Sequence, residues 1–285
     1  MDDPQFRLPQ IYDPTPTPTP TPVSRWKRLT GPLIAVLLIG AKFFGQIKFF
    51  ILPALKFFPA LLKTGGSMIF MIWIYSMMFG WMYAGGFVLL ILVHECGHLI
   101  AARWCGLKVG LPVFIPFMGA VIALKEAPRN AWIEAIVGIG GPIAGTIGAI
   151  VCHSVFIATQ NPLWLALAYT GYFLNLFNLM PVGFLDGGRI VNAISPWLLL
   201  PGLALLVWFM YEHGPNFLLV LILILALPKV WRLFWSRTPE EQMYYELAPA
   251  KRLTMGLSFF GLAALLFYQM QNTIAELSSL GHWRN

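Results

Sequence analysis

Seven stretches of this chain run almost unbroken through apolar residues, at about 67–83, 84–105, 133–158, 163–180, 197–211, 215–231 and 254–271. A helix needs about 20 such residues to cross the hydrocarbon core of a bilayer. In lipid a helix satisfies its own backbone donors and acceptors, which an irregular chain cannot do. The pattern predicts an all-α polytopic membrane protein with about six to eight membrane helices. Composition agrees, because 58% of the 285 residues are hydrophobic and 11% are charged, where a soluble domain carries about a quarter charged residues.

Charge sets the expected orientation. If residues 1–66 start on the cytoplasmic side without a net crossing, one face receives Arg103, Lys108, Lys125, Arg129, Arg189, Lys229, Arg232, Arg237, Lys251 and Arg252, and the other receives Arg284. Basic loops stay in the cytoplasm. The expected location is an integral membrane position, taken to be a bacterial inner membrane, and the charge count puts the polar motifs toward the cytoplasmic half. The net charge of +7 then reflects topology, and no nucleic-acid partner is expected. Cys96, Cys105 and Cys152 lie in or beside apolar runs and suggest no disulfide framework.

Four segments follow. Residues 1–30 are polar, lack a secretory signal pattern and contain "DPTPTPTPTPV", a tract suited to an extended polyproline II tether. Residues 31–66 are apolar but carry Lys42, Lys48, Lys56 and Lys63, with Pro53 and Pro59 inside. They suit a helix lying in the interface, its ammonium groups reaching water, or a membrane hairpin. Residues 67–195 form the membrane core, and 196–285 add membrane helices with a cytoplasmic loop near 232–252. Within the core, "GLPVFIPFMGAVIAL" (110–124) is punctuated by Gly and Pro and reads as short strands. Strand backbone at membrane depth must be satisfied by protein or a water-filled cavity, so this small β element should lie at a cavity next to the functional site.

One apolar run contains "HECGH", residues 94–98. Ionisable groups in a membrane helix are costly and need a compensating partner. On a helix, residues four apart share a face, so His94 and His98 can reach one ion while Glu95 points at a water beside it. This is the H-E-x-x-H arrangement of zinc hydrolases, with the glutamate as general base; the alternative is a pair of packed histidines. Catalytic zinc takes three protein ligands. Asp186, in "NLFNLMPVGFLDGGRI" (175–190), is the acid embedded among apolar residues, where Pro181 and Gly183 break the helix and Gly187 and Gly188 allow close backbone approach. It is the candidate third ligand, the alternative being a cap for the next helix. Asn178 could hydrogen-bond the substrate backbone or the developing oxyanion; Asn175 suits an interhelical polar contact. His153 is expected to hydrogen-bond between helices, and His213 and His282 to lie in solvated loops.

"HECGH" on one membrane helix, "GGPIAG" (140–145) on the next and the N-x-x-P-x-x-x-L-D-G-G run from Asn178 to Gly188 resemble the site-2 protease family of intramembrane zinc metalloproteases. The resemblance spans about residues 80–195. It implies a three-helix core, one Zn²⁺ per chain held by His94, His98 and Asp186, Glu95 as catalytic acid and base, Asn178 as the active-site asparagine, and membrane-spanning substrates. The glycines and Pro142 of "GGPIAG" match the family's helix-packing motif, a role small residues also have on physical grounds. Cys96 stands where the family more usually has a bulky apolar residue. No PDZ-like insertion or nucleotide-binding domain fits in the chain, so substrate selection must differ from that of relatives carrying them.

The expected chemistry is hydrolysis of a peptide bond within or beside a transmembrane segment of a single-span substrate in the lipid bilayer, with Glu95 moving the proton and the strands at 110–124 pairing with unwound substrate. A metalloprotease of the kind that trims prenylated proteins would instead take a glutamate as third ligand, but Glu134 and Glu212 lack a supporting pattern. A metal transporter would show repeated halves, and a non-catalytic metal-binding scaffold would be free to lose Glu95.

Overall fold

Gly80 sets the first boundary between helices. Its φ of +79° lies in the left-handed region that favours glycine, and it separates α1 (Thr64–Phe79) from α2 (Trp81–Trp104). The computed structural model describes residues 64–116, 119–124, 126–215, 217–235 and 238–282. The expected tether at 1–30 and the segment with Lys42, Lys48, Lys56 and Lys63 lie outside the described residues, as do Lys125, Arg237 and Arg284. After α2 come strands β1 (Val109–Ile115) and β2 (Gly119–Leu124), then α3 (Ala131–Thr159), α4 (Pro162–Asn178) and α5 (Asp186–Ile194). A 3-10 turn at Pro196–Leu198 leads to α6 (Leu199–His213), α7 (Phe217–Arg232), α8 (Pro239–Tyr245) and α9 (Pro249–His282).

Each apolar run is helical, and local chemistry marks the ends. Asn130 caps α3 by accepting from the Ile133 N–H at 3.0 Å. Asn161 does the same for Leu163 at 3.0 Å, with Pro162 in the first turn of α4, both favoured start signals. Three helices are long and apolar enough to cross a membrane: Trp81–Trp104, Ala131–Thr159 and Pro249–Leu280. Helices α1, α4, α6 and α7 have 16, 17, 15 and 16 residues, short of the roughly 20 that a full span needs. By this measure three helices among the described residues are candidate spans, and a count of six to eight is a proposal.

Helices α2 and α3 pack with their backbones close together. A Cβ added to Gly97 would collide with the Gly140 carbonyl oxygen, and one added to Gly140 would lie 2.7 Å from the Gly97 oxygen. Small residues permit such approach where two apolar helices have no hydrophobic drive to associate. Helix α4 closes the core, with Leu90, Ala149, Leu167, Tyr172, Ile190 and Leu266 buried together. Large apolar side chains such as Met82, Leu89, Ile100, Ile147 and Phe260 face outward, which suits lipid contact.

The expected strands at 110–124 form an antiparallel hairpin with Val113 opposite Val121 and Phe114 opposite Ala120. Its register shifts between Val109 and Pro112, where proline offers no N–H to the ladder. The Phe114 N–H donates to Ser67 Oγ at 3.0 Å, fastening the hairpin to α1.

Candidate metal centre and active site

The i, i+4 spacing on α2 stacks His94 and His98, with ring centroids 4.7 Å apart. Asp186 enters from the first residue of α5. Its Oδ2 lies 3.2 Å from His94 Nε2 and 3.2 Å from His98 Nε2, and the two Nε2 atoms are 3.1 Å apart. All three residues are buried. Among the described residues, this is the group of His, Cys, Asp and Glu that could hold a metal.

The other ring nitrogens show what converges there. His98 Nδ1–H donates to the Val137 carbonyl at 2.7 Å. His94 Nδ1–H donates to Asn175 Oδ1 at 2.7 Å, because the Asn175 amide nitrogen is committed to the Gly171 carbonyl at 2.7 Å. With both rings neutral, each presents Nε2 as a lone pair. Two such lone pairs and a carboxylate oxygen aimed at one point repel each other unless a metal ion, or a proton shared with the carboxylate, lies between them. Protonating both rings would instead set two donors face to face. The donor set, two imidazoles and a carboxylate, is that of zinc enzymes. In a tetrahedron with bonds of about 2.0–2.1 Å the donors stand about 3.3–3.4 Å apart, close to the 3.1–3.2 Å seen here. The residues fit the ion.

Glu95, also buried, lines a cavity of about 280 Å³ together with His94, His98, Asp186, Asn178 and Arg189. Gly119 and Ala120 of β2 line the same cavity, so the β element does sit at the site. Asn178 is half-buried. Arg189, one turn after Asp186, belongs to the cavity wall, a place that its role as a topology signal does not foretell.

Other candidates lie elsewhere. Glu134 Oε2 accepts from Asn192 Nδ2 at 3.1 Å and from the Tyr244 hydroxyl at 3.0 Å, and Glu212 is exposed at the end of α6. Neither joins the cluster. His153 bonds Glu276 across α3 and α9 at 3.0 Å, the interhelical contact expected of it. His213 is exposed and donates to the Phe209 carbonyl at 3.3 Å; the side chain of His282 lies outside those described.

Asn175 makes the interhelical polar contact expected of it, with His94 as a partner the sequence did not name, and sequence reading missed part of what "GGPIAG" does. A Cβ at Gly141 would overlap the His98 ring, so that glycine makes room for an imidazole as well as for helix packing. A polar amide inside an apolar helix, which needs a partner there, was the available signal for the first. Nothing local distinguishes Gly141 from its neighbours.

Comparison with known proteins bears on the same segment. The family model for peptidase family M50 matches residues 82–161. Over 109 residues the chain is 34% identical to the zinc metalloprotease MJ0392 of Methanocaldococcus jannaschii, covering 36% of this chain and 31% of that protein. A chloroplast protein named as a zinc metalloprotease, EGY2 of Arabidopsis thaliana, is 28% identical over 152 residues, 37% of this chain and 26% of its own length. Rip3 of Mycobacterium tuberculosis, also named as a zinc metalloprotease, is 35% identical over 122 residues, 39% of this chain and 30% of its own. The chain thus matches less than a third of the length of each of these relatives. Over residues 82–161, which hold His94, Glu95 and His98, the chain carries the likeness to peptidase family M50, the site-2 protease family, that its motifs predict.

Proposed function

We propose that this chain is an intramembrane zinc metalloprotease that hydrolyses peptide bonds within or beside transmembrane segments of single-span membrane proteins. His94, His98 and Asp186 hold the ion. When bound, zinc supplies a Lewis acid that polarises a carbonyl and brings the pKa of a water toward neutrality. Glu95, in the same cavity, accepts the proton of the attacking water and delivers it to the leaving amine. Asn178 donates its amide N–H to the substrate carbonyl oxygen as charge develops there. The cavity wall at Gly119 and Ala120 offers strand backbone to a substrate segment that has lost its helical hydrogen bonds. The excess of basic residues in the loops joining α2 to β1 and α3 supports a site opening toward the cytoplasm of a bacterial inner membrane.

The observation that carries this reading is the meeting of three acceptor atoms, Nε2 of His94, Nε2 of His98 and Oδ2 of Asp186, within 3.2 Å of one another. The test uses the full chain in proteoliposomes with a single-span substrate. Glu95→Gln should keep one zinc per chain and lose cleavage by at least about 100-fold, whereas Asp186→Asn should lose zinc. Undiminished proteolysis by Glu95→Gln, or full zinc content in Asp186→Asn, would overturn the assignment.

A further inference from the structure

Asn175 does not touch the point where the three acceptors meet, but its surroundings tie it to that point. The side chain is 1% exposed. Its amide nitrogen is anchored on the Gly171 carbonyl, one turn earlier in α4, at 2.7 Å. That anchor turns Oδ1 toward His94 Nδ1–H, also at 2.7 Å. The amide sits in a gap that α3 leaves for it. A Cβ built on Gly145 would overlap Asn175 Oδ1 and lie 2.6 Å from Nδ2 and 2.7 Å from Cγ. Three helices therefore meet at one hydrogen bond: α2 brings the ring, α4 the amide, and α3 the missing side chain.

We propose that Asn175, seated in the gap left by Gly145, is a positioning residue that holds the His94 imidazole with Nε2 directed at the ion and so sets the metal affinity of the site. The inference rests on the zinc reading above. An imidazole whose second nitrogen is held has one tautomer and one ring orientation, and donates better for it; removing such a partner typically lowers metal affinity about 10–100-fold. His98 takes the same support from the backbone at Val137, which no substitution removes, so the pair is asymmetric. Gly145 acts through Asn175 and needs no contact with the ion.

The experiment measures zinc affinity of the full chain in detergent by competition with a chromophoric chelator, together with the visible absorption of the Co²⁺-loaded protein. Asn175→Leu fills the same space without an acceptor and should weaken zinc binding about 10–100-fold and shift the cobalt bands. Asn175→Asp keeps an acceptor for the same N–H but loses the donor to the Gly171 carbonyl, and should weaken zinc binding less than Asn175→Leu does. Gly145→Ala should weaken binding in the parent and add little in an Asn175→Ala background, where the gap is open, a non-additivity that marks coupled residues. A merely structural Asn175 would move the unfolding midpoint of the metal-free protein and leave the cobalt spectrum alone. Parent-like zinc affinity and cobalt bands in Asn175→Leu would overturn the proposal. A parent chain that binds no zinc would overturn the underlying reading instead, before any variant is compared.

Discussion

An imidazole deep in an apolar helix is tolerable when both of its nitrogens have partners, since an unpaired polar group costs about 1–3 kcal/mol. Here the two rings take their Nδ1 partners from different sources, a side chain for His94 and a main-chain carbonyl for His98. Gly141 shows how little space remains, because a Cβ there would overlap His98 Nε2 and Cε1. Gly141→Ala should therefore push the His98 ring off its lone-pair direction and weaken zinc binding by about 10-fold or more. Chelator competition checks this, with Gly261→Ala as control, a helical glycine whose added Cβ meets nothing within 4 Å.

At the scale of elements, α5 is held at both ends, which is how Asp186 reaches the rings. The chain from Leu179 to Leu185 folds back over the helix start. A Cβ on Gly187 would overlap the Leu179 carbonyl, and one on Gly188 would lie 2.6 Å from the Gly183 oxygen. Lys229 of α7 donates to that same Gly183 oxygen at 3.0 Å. At the far end Asn192 joins the Glu134 carboxylate and Tyr244, and Arg252 donates to the Ile194 carbonyl at 3.0 Å. Burial, reinforced by the Glu134 carboxylate, pushes the Tyr244 hydroxyl well above the usual phenol range, so it remains a donor. Gly187→Ala should displace Asp186, with loss of zinc and a lowered unfolding midpoint, because the obstructing atoms are backbone and cannot swing aside. Tyr244→Phe removes one of two bonds to Glu134 and should cost about 1 kcal/mol of stability, read as a lowered midpoint of thermal unfolding, with zinc affinity unchanged.

For the whole molecule, one ion would join α2 to α5 across the bundle, so metal and fold should be linked. At a free zinc concentration about 100 times the dissociation constant the folded state gains about 2.7 kcal/mol; removing zinc with a chelator should lower the unfolding midpoint, and Asp186→Asn should abolish that difference. Orientation has its own check. Lys108 precedes the β-hairpin and Gln160 follows α3, so one long apolar helix, α3, separates them. In intact cells a single cysteine at 160 should react with a membrane-impermeant thiol reagent and one at 108 should not. The reverse pattern would place the site on the other side of the membrane.

The sequence by itself determined what depends on short-range spacing and on composition. Apolar runs of nearly 20 residues have to become helices in lipid, and a helix repeat of 3.6 residues has to stack His94 on His98. The Gly and Pro pattern at 110–124 was enough to mark strands, and it led to the cavity wall. Beyond Asp186, which the L-D-G-G run already names as a candidate ligand, what joins distant segments was decided by the tertiary structure. Only packing of α5 against α3 and α9 brings Asp186 to the rings while leaving Glu134 and Glu212 apart. Only the close approach of α3 to α2 and α4 makes Gly141 and Gly145 the room for His98 and for the amide that His94 bonds. The physical reason is that periodicity assigns a residue to a face of its own helix, whereas a partner 39 to 92 positions away, such as Val137 for His98 or Asp186 for His94, is set by how whole helices fit together.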